Sequence, residues 1–375
     1  MKIGFATADW SLGNTDPDGV PTFGGAGWYR IGMPSAAIAQ HTEHEVVKGV
    51  LVDNGKVLGV LEWPKNGSPE TKEGSSHFDC DIVVIQRYMN DNLPDAIKKA
   101  TAAGQIIIND VDDWFWGLSP SNQAFKHSHP KFNPTANINH YQKTLGASSL
   151  ITTSTPYLAS RIQSIAGDVP VEVIRNAIDC EMFAMKRTSH VPPVVGWIGG
   201  TPWRSKDLET LRGVLGPWCL RNKWRFYHGG DYPESQLSAA KLAGIPDEVI
   251  TSVAPLVSIL EYPSLFEGLD LGVVPLTYCP FNESKSAIKG MEYAAAGIPF
   301  IAAATGEYKW LAGQMNIGRT AKRPSDWIRN LEVLSDSKVR AKEAISNKEA
   351  VQRLDINKRY IDWTDVYKDA LSRAL

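Results

Sequence analysis

Much of what characterises specialised proteins is missing from this chain. Only four of its 375 residues are cysteine, Cys80, Cys180, Cys219 and Cys279, and no two of them form a C-x-x-C pair. That excludes a zinc knuckle and a redox motif, and so few scattered thiols predict a reducing compartment. Neither sign of charge dominates: 39 Lys and Arg against 41 Asp and Glu leave a net charge of −2, without the basic surplus of a general nucleic-acid binder. No apolar run approaches the ~18 residues that span a bilayer. The short apolar start Met1–Ala6 does not read as a signal peptide, so the expectation is a cytoplasmic protein. No G-x-G-x-x-G follows the first strand, and no G-x-S-x-G nucleophile appears. His127-Ser128-His129 brings no third ligand with it, so no metal is expected.

What is present is an ordinary globular composition, 43% apolar and 21% charged, long enough for two cores. Tryptophan is unusually frequent, 12 residues against 11 Phe. Short apolar runs read as strands at Ile3–Thr7, Val46–Val52, Ile82–Gln86, Gln105–Asn109, Leu150–Thr153 and Val171–Ile174. A second series follows at Val194–Ile198, Trp224–His228, Leu271–Pro275 and Phe300–Ala303. Helical stretches lie between them: Gly27–Gln40 with Pro34 kinking it, Pro94–Ala103, Tyr141–Leu145, Pro156–Ala166, Asp207–Leu215 and Lys358–Leu375. Ser11–Gly25 reads as a long loop. Buried strands alternating with helices predict parallel sheets covered on both faces, here as two doubly wound α/β domains of residues 1–187 and 188–357, with 358–375 packing back on the first. Ligands of such sheets bind beyond the carboxyl ends of the strands, so the loops there carry the functional argument.

The most informative segment is Phe281–Ala302. Asn282 or Ser284 suits a helix N-cap, and Gly297 and Pro299 stop the helix. On one helix Lys285, Lys289 and Glu292 would share a face. Two ammonium groups beside a helix N-terminus suit a diphosphate, and the carboxylate suits ribose hydroxyls. A solvated, self-paired charged face is the competing reading.

This run, with Pro275-Leu276 before it, resembles the donor-site signature of the group 1 (family 4) glycosyltransferases. The resemblance implies the GT-B architecture, in which two Rossmann-like domains face each other across a cleft. It implies a nucleoside-diphosphate sugar as donor, held without a metal or other cofactor mainly by the second domain, and transfer to a hydroxyl acceptor with retention of configuration. Glu292 would contact the ribose, and Lys285, Ser286 and Lys289 the diphosphate. The pattern's first Glu position, whose role is contact with the transferred sugar, is occupied by Ser284, which is kept as a donor-binding candidate, with Glu283 one place off.

Other loops add candidates. Gly199-Gly200-Thr201 follows a strand and offers backbone amides to an anion, with Arg204 or Lys206 adding charge. Gly24-Gly25 and Arg30 resemble the family's first glycine loop, on the acceptor side. Asp110-Val111-Asp112-Asp113-Trp114 could hold a metal, but the GT-B resemblance favours acceptor-orienting carboxylates, Asp110 and Asp113 as catalytic candidates and Asp112 and Trp114 as acceptor contacts; capping aspartates are the plainer reading. Arg175-Asn176-Ala177-Ile178-Asp179 resembles the segment that closes the first domain. Trp28, Trp114, Trp116 and Trp203 are expected near these loops, Trp197 and Trp224 in the core. Catalysis would rest on Lys285, Lys289 and the glycine amides stabilising the departing diphosphate. An epimerase or phosphorylase of the same architecture, or a silent sugar-binding module, remains an alternative. The acceptor, whether glycan, lipid-linked, protein or small molecule, is open, and a nucleic-acid partner is disfavoured.

Overall fold

The structure, a computed structural model, describes residues 1–64, 74–120, 122–128, 138–186, 189–231 and 238–374. It forms two compact units. The first comprises Met1–Trp116, Lys126–Ala177 and Ile356–Leu375, the second Gly117–Phe125 and Ile178–Asp355. His129 and the side chains of His127 and Trp203 lie outside the described residues.

Unit 1 is built on β1 (Lys2–Thr7), β2 (Trp10–Thr15), β3 (Pro21–Phe23), β4 (Glu45–Asp53), β5 (Leu58–Glu62), β6 (Ser76–His77), β7 (Ile82–Gln86), β8 (Ile106–Val111), β9 (Leu150–Thr153) and β10 (Val171–Val173). Eight of them form one sheet in the order β10-β9-β8-β7-β1-β4-β5-β6. Its centre is parallel and deeply buried, as the Ile/Val runs require. Its far edge departs from the all-parallel expectation: β5 and β6 are antiparallel. Asn54-Gly55 makes the β4–β5 hairpin, with Gly55 at φ +85° and the Asn54 carboxamide accepting from the Lys56 and Val57 amides.

The expected loop Ser11–Gly25 is instead largely the antiparallel pair β2–β3, closed by a turn in which Asp16 accepts from the Asp18 and Val20 amides. The Trp10 and Phe23 rings stack across it at 4.4 Å. The helix expected at 27–40 is in three parts: a turn at Gly25–Gly27, a π-helical segment Trp28–Gly32, and an α-helix Met33–His41. Pro34 has no N–H for the Arg30 carbonyl, and the chain widens just ahead of it. The C-terminal helix, Ile356–Ala374, packs in unit 1, where Trp363 and Tyr367 are fully buried and Tyr367 lies 6.1 Å from Phe5. Burial of two such side chains contributes about 3–6 kcal/mol.

Unit 2 contains β11 (Val194–Ile198), β12 (Arg225–Asp231), β13 (Ile250–Pro255), β14 (Leu271–Val274), β15 (Phe300–Ala303) and β16 (Arg319–Ala321). They form one parallel sheet in the order β13-β12-β11-β14-β15-β16. Trp197, Trp218, Trp224 and Phe226 fill its core with Leu208, Leu211 and Leu215. The leucine spacing reports burial, but the expected Asp207–Leu215 helix is broken. Gly213 at φ +71° separates Ser205–Glu209 from Leu215–Asn222.

In each unit the strand order reverses beside the first strand, at β1/β7 in unit 1 and at β11/β14 in unit 2. A crevice opens at such a switch because successive crossovers leave in opposite directions.

Candidate functional site

In unit 2 the switch is lined by the segments after β11, β12 and β14. β11 is followed by Gly199, whose φ of +154° and contact with Trp197, 2.7 Å from where a Cβ would lie, both call for glycine. The Gly200 N–H has no acceptor among the described residues. Thr201 is buried and begins a short 3-10 turn. The next turn brings in Asp207, which sequence reading treated only as a helix start. One Asp207 carboxylate oxygen accepts from the Thr277 amide (2.8 Å), the Thr277 hydroxyl (2.9 Å) and the Asn282 side-chain amide (2.8 Å). Asp207 thereby fastens the segment after β14 to the segment after β11. Arg204 reaches its other oxygen at 3.5 Å, and Lys206 pairs with Glu209 at the surface.

The single helix expected from Asn282 onward does not form. A short helix, Pro280–Glu283, is followed by irregular chain and then by the helix Ile288–Ala295. Neither Asn282 nor Ser284 caps: Asn282 is bound to Asp207, and the buried Ser284 hydroxyl donates to the Phe281 carbonyl at 2.7 Å. Lys285 therefore shares no helix with Lys289, and its ammonium lies 4.1 Å from the centre of the Phe281 ring. Ser286 sits in the irregular link just before the second helix. Glu283 is buried, and its carboxylate accepts from the Gly306 amide at 3.1 Å.

Within the second helix, Lys289 and Glu292 form an i,i+3 ion pair of 2.6 Å. It is not the solvated pair of a surface helix, since the Glu292 side chain is only 2% exposed and the Lys289 side chain 21%. Tyr262, 27 residues upstream of Lys289, completes it: Lys289 donates to the phenol oxygen, and the phenol donates to Glu292 at 3.0 Å. The ammonium also lies 4.8 Å from the Tyr262 ring centre. A donor chain Lys289–Tyr262–Glu292 thus fixes both charged groups.

Unit 1 presents a different edge. Asp9, after β1, accepts from the Gly27 amide at 2.7 Å, and its backbone carbonyl accepts from Gly24 at 2.8 Å. A Cβ on Gly24 would lie 2.4 Å from the Asp9 carboxylate, whereas Gly25 is open. The glycine turn is thus folded around a carboxylate of its own chain. Arg87, after β7, adopts φ +62° and gathers three carboxylates: Asp112 through two bonds, one of 3.0 Å and one of 2.5 Å, Asp113 at 3.2 Å and Asp9 at 3.8 Å. Burial pushes the Asp112 carboxyl above the usual range, opposed by Arg87.

Arg30 and Asp110 belong to the interior. Arg30 is fully buried and binds both Asp110 oxygens (2.9 and 2.7 Å), the Ile174 carbonyl (2.6 Å) and the Asn176 side chain (2.8 Å), 5.6 Å from the Trp363 ring. Thr152 donates to the same carboxylate at 2.7 Å. Arg30, expected on the acceptor side, and Asp110, expected to be catalytic, are thus both buried and bonded to each other. The two groups neutralise each other and satisfy strand ends, with no polar atom left facing solvent. Trp114, expected as an acceptor contact, is likewise buried, in a cluster with Tyr141 and Leu145, 5.0 Å from Trp116.

No protein-family description matches the chain. TuaH of Bacillus subtilis (strain 168), whose name assigns it to teichuronic acid biosynthesis as a glycosyltransferase, is 23% identical over 208 residues, 52% of this chain and 50% of TuaH. The chain thus spans about half the length of this curated relative. Among solved structures, sucrose-phosphate synthase of Thermosynechococcus elongatus superimposes with a TM-score of 0.62 over the whole of both chains at 12% identity. HepE of Anabaena, solved with UDP, gives 0.60 over 98% of this chain and 100% of its own at 14% identity. The fold is GT-B. In GT-B terms, the Gly199 turn, Asp207, Tyr262, Lys289 and Glu292 belong to the C-terminal Rossmann-like unit, and the Arg87 cluster to the N-terminal one. Among the described residues there is no group of three or more His, Cys, Asp or Glu arranged to hold a metal ion, and no helix long and apolar enough to cross a membrane.

Tyr262, Asp9 and Arg87 do not figure among the candidates the sequence offers, and Asp207 figures only as a helix start. For Asp9 and Arg87 a signal existed: both stand directly beyond a buried strand at the switch. For Tyr262 the sequence carries none, because its place is set by the turn Tyr262–Gly268.

Proposed function

We propose that this chain is a glycosyltransferase of the group 1 (family 4) type. It moves a sugar from a nucleoside-diphosphate donor to a hydroxyl acceptor with retention of configuration. The observation that carries this reading is the unit 2 switch point. There the Gly200 amide, with no acceptor among the described residues, and the Lys289–Tyr262–Glu292 chain stand on segments that follow strands of one parallel sheet. The likeness to TuaH supports transfer chemistry. HepE, solved with UDP and with UDP-glucose, supports a uridine-diphosphate sugar as the donor.

In this reading Gly199, Gly200 and Thr201 line the diphosphate, with Arg204, Lys285 and Ser286 flanking it. Lys289 meets the charge that grows on the diphosphate as the sugar–phosphate bond breaks. Glu292 accepts from ribose hydroxyls and holds Lys289 in place. Ser284, buried and bonded to its own helix, packs beneath the sugar site. The acceptor oxygen forms the new bond and releases its proton, and the nucleoside diphosphate leaves. Protein cations and amides meet the leaving charge, and no metal is required. The partly exposed Asp112 and Asp113, with Arg87, orient the acceptor hydroxyl.

Thermal unfolding with UDP, ADP and GDP tests the donor assignment. UDP at a hundred times its dissociation constant stabilises the folded state by about 2.7 kcal/mol. ADP and GDP produce smaller shifts, and Lys289→Ala removes most of the UDP effect. A chain indifferent to all three nucleotides is no such transferase. Release of UDP from UDP-sugars on addition of acceptor separates a transferase from an epimerase, which alters the donor unaided.

A further inference from the structure

Beside the Gly199 turn lies the buried His228, in β12 and 1% exposed. Its Nε2 lies 2.9 Å from the Gly199 carbonyl. A carbonyl only accepts, so Nε2 carries the proton. The imidazole stacks on Trp197 with centroids 5.1 Å apart and planes at 21°. Its other nitrogen, Nδ1, faces an Asp231 carboxylate oxygen at 3.7 Å, and that buried oxygen has no hydrogen-bond partner among the described residues. Burial lowers the imidazole pKa, while the Gly199 carbonyl and Asp231 oppose the shift. Asp231 is the titratable neighbour acting on this imidazole among the described residues.

The Gly199–Gly200 peptide is trans, as the cis bond in the described chain is Val191–Pro192. In a trans peptide C=O and N–H point in opposite directions. Holding the Gly199 oxygen against His228 therefore turns the Gly200 N–H the other way, and this is the amide without an acceptor. The Gly199 N–H is itself held, donating to the Gly229 carbonyl at 2.8 Å.

We propose that His228 is a positioning residue for the donor diphosphate: it clamps the Gly199 carbonyl so that the Gly200 amide is presented to the anion, and it takes up a proton from solvent when the anion binds. The added proton sits on Nδ1 and pairs with Asp231, while Nε2 keeps its bond to Gly199. Negative charge beyond the loop favours the imidazolium, so binding and protonation reinforce each other. The inference rests on the donor reading above.

Calorimetric titration of UDP into the full-length wild type, His228→Gln and His228→Phe tests it, in two buffers of different ionisation enthalpy between pH 6 and 8. His228→Phe binds UDP about tenfold more weakly at pH 7.5, the worth of one hydrogen bond in a desolvated site. His228→Gln, whose side-chain amide reaches the same carbonyl, stays within about threefold. The wild type takes up more protons on binding near pH 6.5 than either variant. The ratio of wild-type to His228→Gln affinity rises as the pH falls from 8 to 6, a comparison that cancels the titration of UDP itself. Equal affinities in all three proteins, or proton uptake in His228→Gln equal to wild type, overturns the clamp. Should His228→Phe not fold, the glutamine variant still decides through proton uptake. Failure of UDP, ADP and GDP to bind the wild type overturns the donor reading itself, and the clamp with it.

Discussion

The two units share a fold and differ in what their glycine turns hold. In unit 1 the Gly24–Gly27 turn closes on Asp9, an anion supplied by the same chain. In unit 2 the Gly200 amide of the Gly199–Thr201 turn has no acceptor among the described residues. The charged residues follow the same division. Arg30–Asp110 is sealed, and Arg87 is shared among three carboxylates. In unit 2 the Lys289 ammonium stays partly accessible. One Rossmann-like unit thus offers an edge rich in acceptors, suited to hydroxyl groups. The other offers donors, suited to phosphate. The pairing of a glycine turn with a strand end does not decide which; the occupant of the turn does.

The contrast is broken most strongly by removing the sealed pair. Arg30→Ala leaves Asp110 buried and unpaired and costs about 3–5 kcal/mol of stability, read by urea unfolding. Lys289→Ala leaves the buried Glu292 carboxylate without its cation and costs about 1–3 kcal/mol of stability, and beyond that it lowers kcat/KM by about 100-fold or more, as loss of a leaving-group contact does. A fall confined to stability would make Lys289 a structural residue and erase the difference between the units. Asp207→Ala strands three donors and costs about 2–3 kcal/mol in stability; steady-state kinetics show it further as a raised KM for the donor, with Asp207→Asn milder. Asp9→Asn removes the anion from the unit 1 turn and costs about 0.3–1 kcal/mol. An anion such as sulfate then stabilises the variant more than the wild type in a thermal scan. His228 supplies the smallest effect. Its lowered pKa means the unfolded chain binds a proton first, so stability falls as the pH drops below about 6.5. His228→Gln flattens that slope.

The parallel core of both sheets was legible from runs such as Ile82–Gln86 and Val194–Ile198, because a strand buried on both faces must be apolar throughout. The edges were less so. The Asn54-Gly55 turn and the β2–β3 pair sit in polar sequence, where turn chemistry outweighs composition. The segment 281–295 taught most. Its residues fit one helical face, yet Asn282 is drawn to Asp207, 75 residues upstream, and the helix opens between Ser284 and Ala287. Periodicity describes what a segment does alone, and a buried carboxylate with three donors overrules it. Lys289 and Glu292 were visible as residues, but Tyr262, which joins them, was brought in by tertiary structure.

The chain crosses from unit 1 to unit 2 at Ala177/Ile178 and returns at Asp355/Ile356. Ile178 bridges Asp355, and the Cys180 amide donates to the Asp355 carboxylate at 3.1 Å, so the crossing points lie side by side. During synthesis, unit 2 has all its strands in hand while unit 1 still lacks the Ile356–Ala374 helix that covers Phe5 and Arg30. The unit begun first is therefore the one finished last. A nascent chain stalled near residue 355 would carry a folded unit 2 tethered to an open partner.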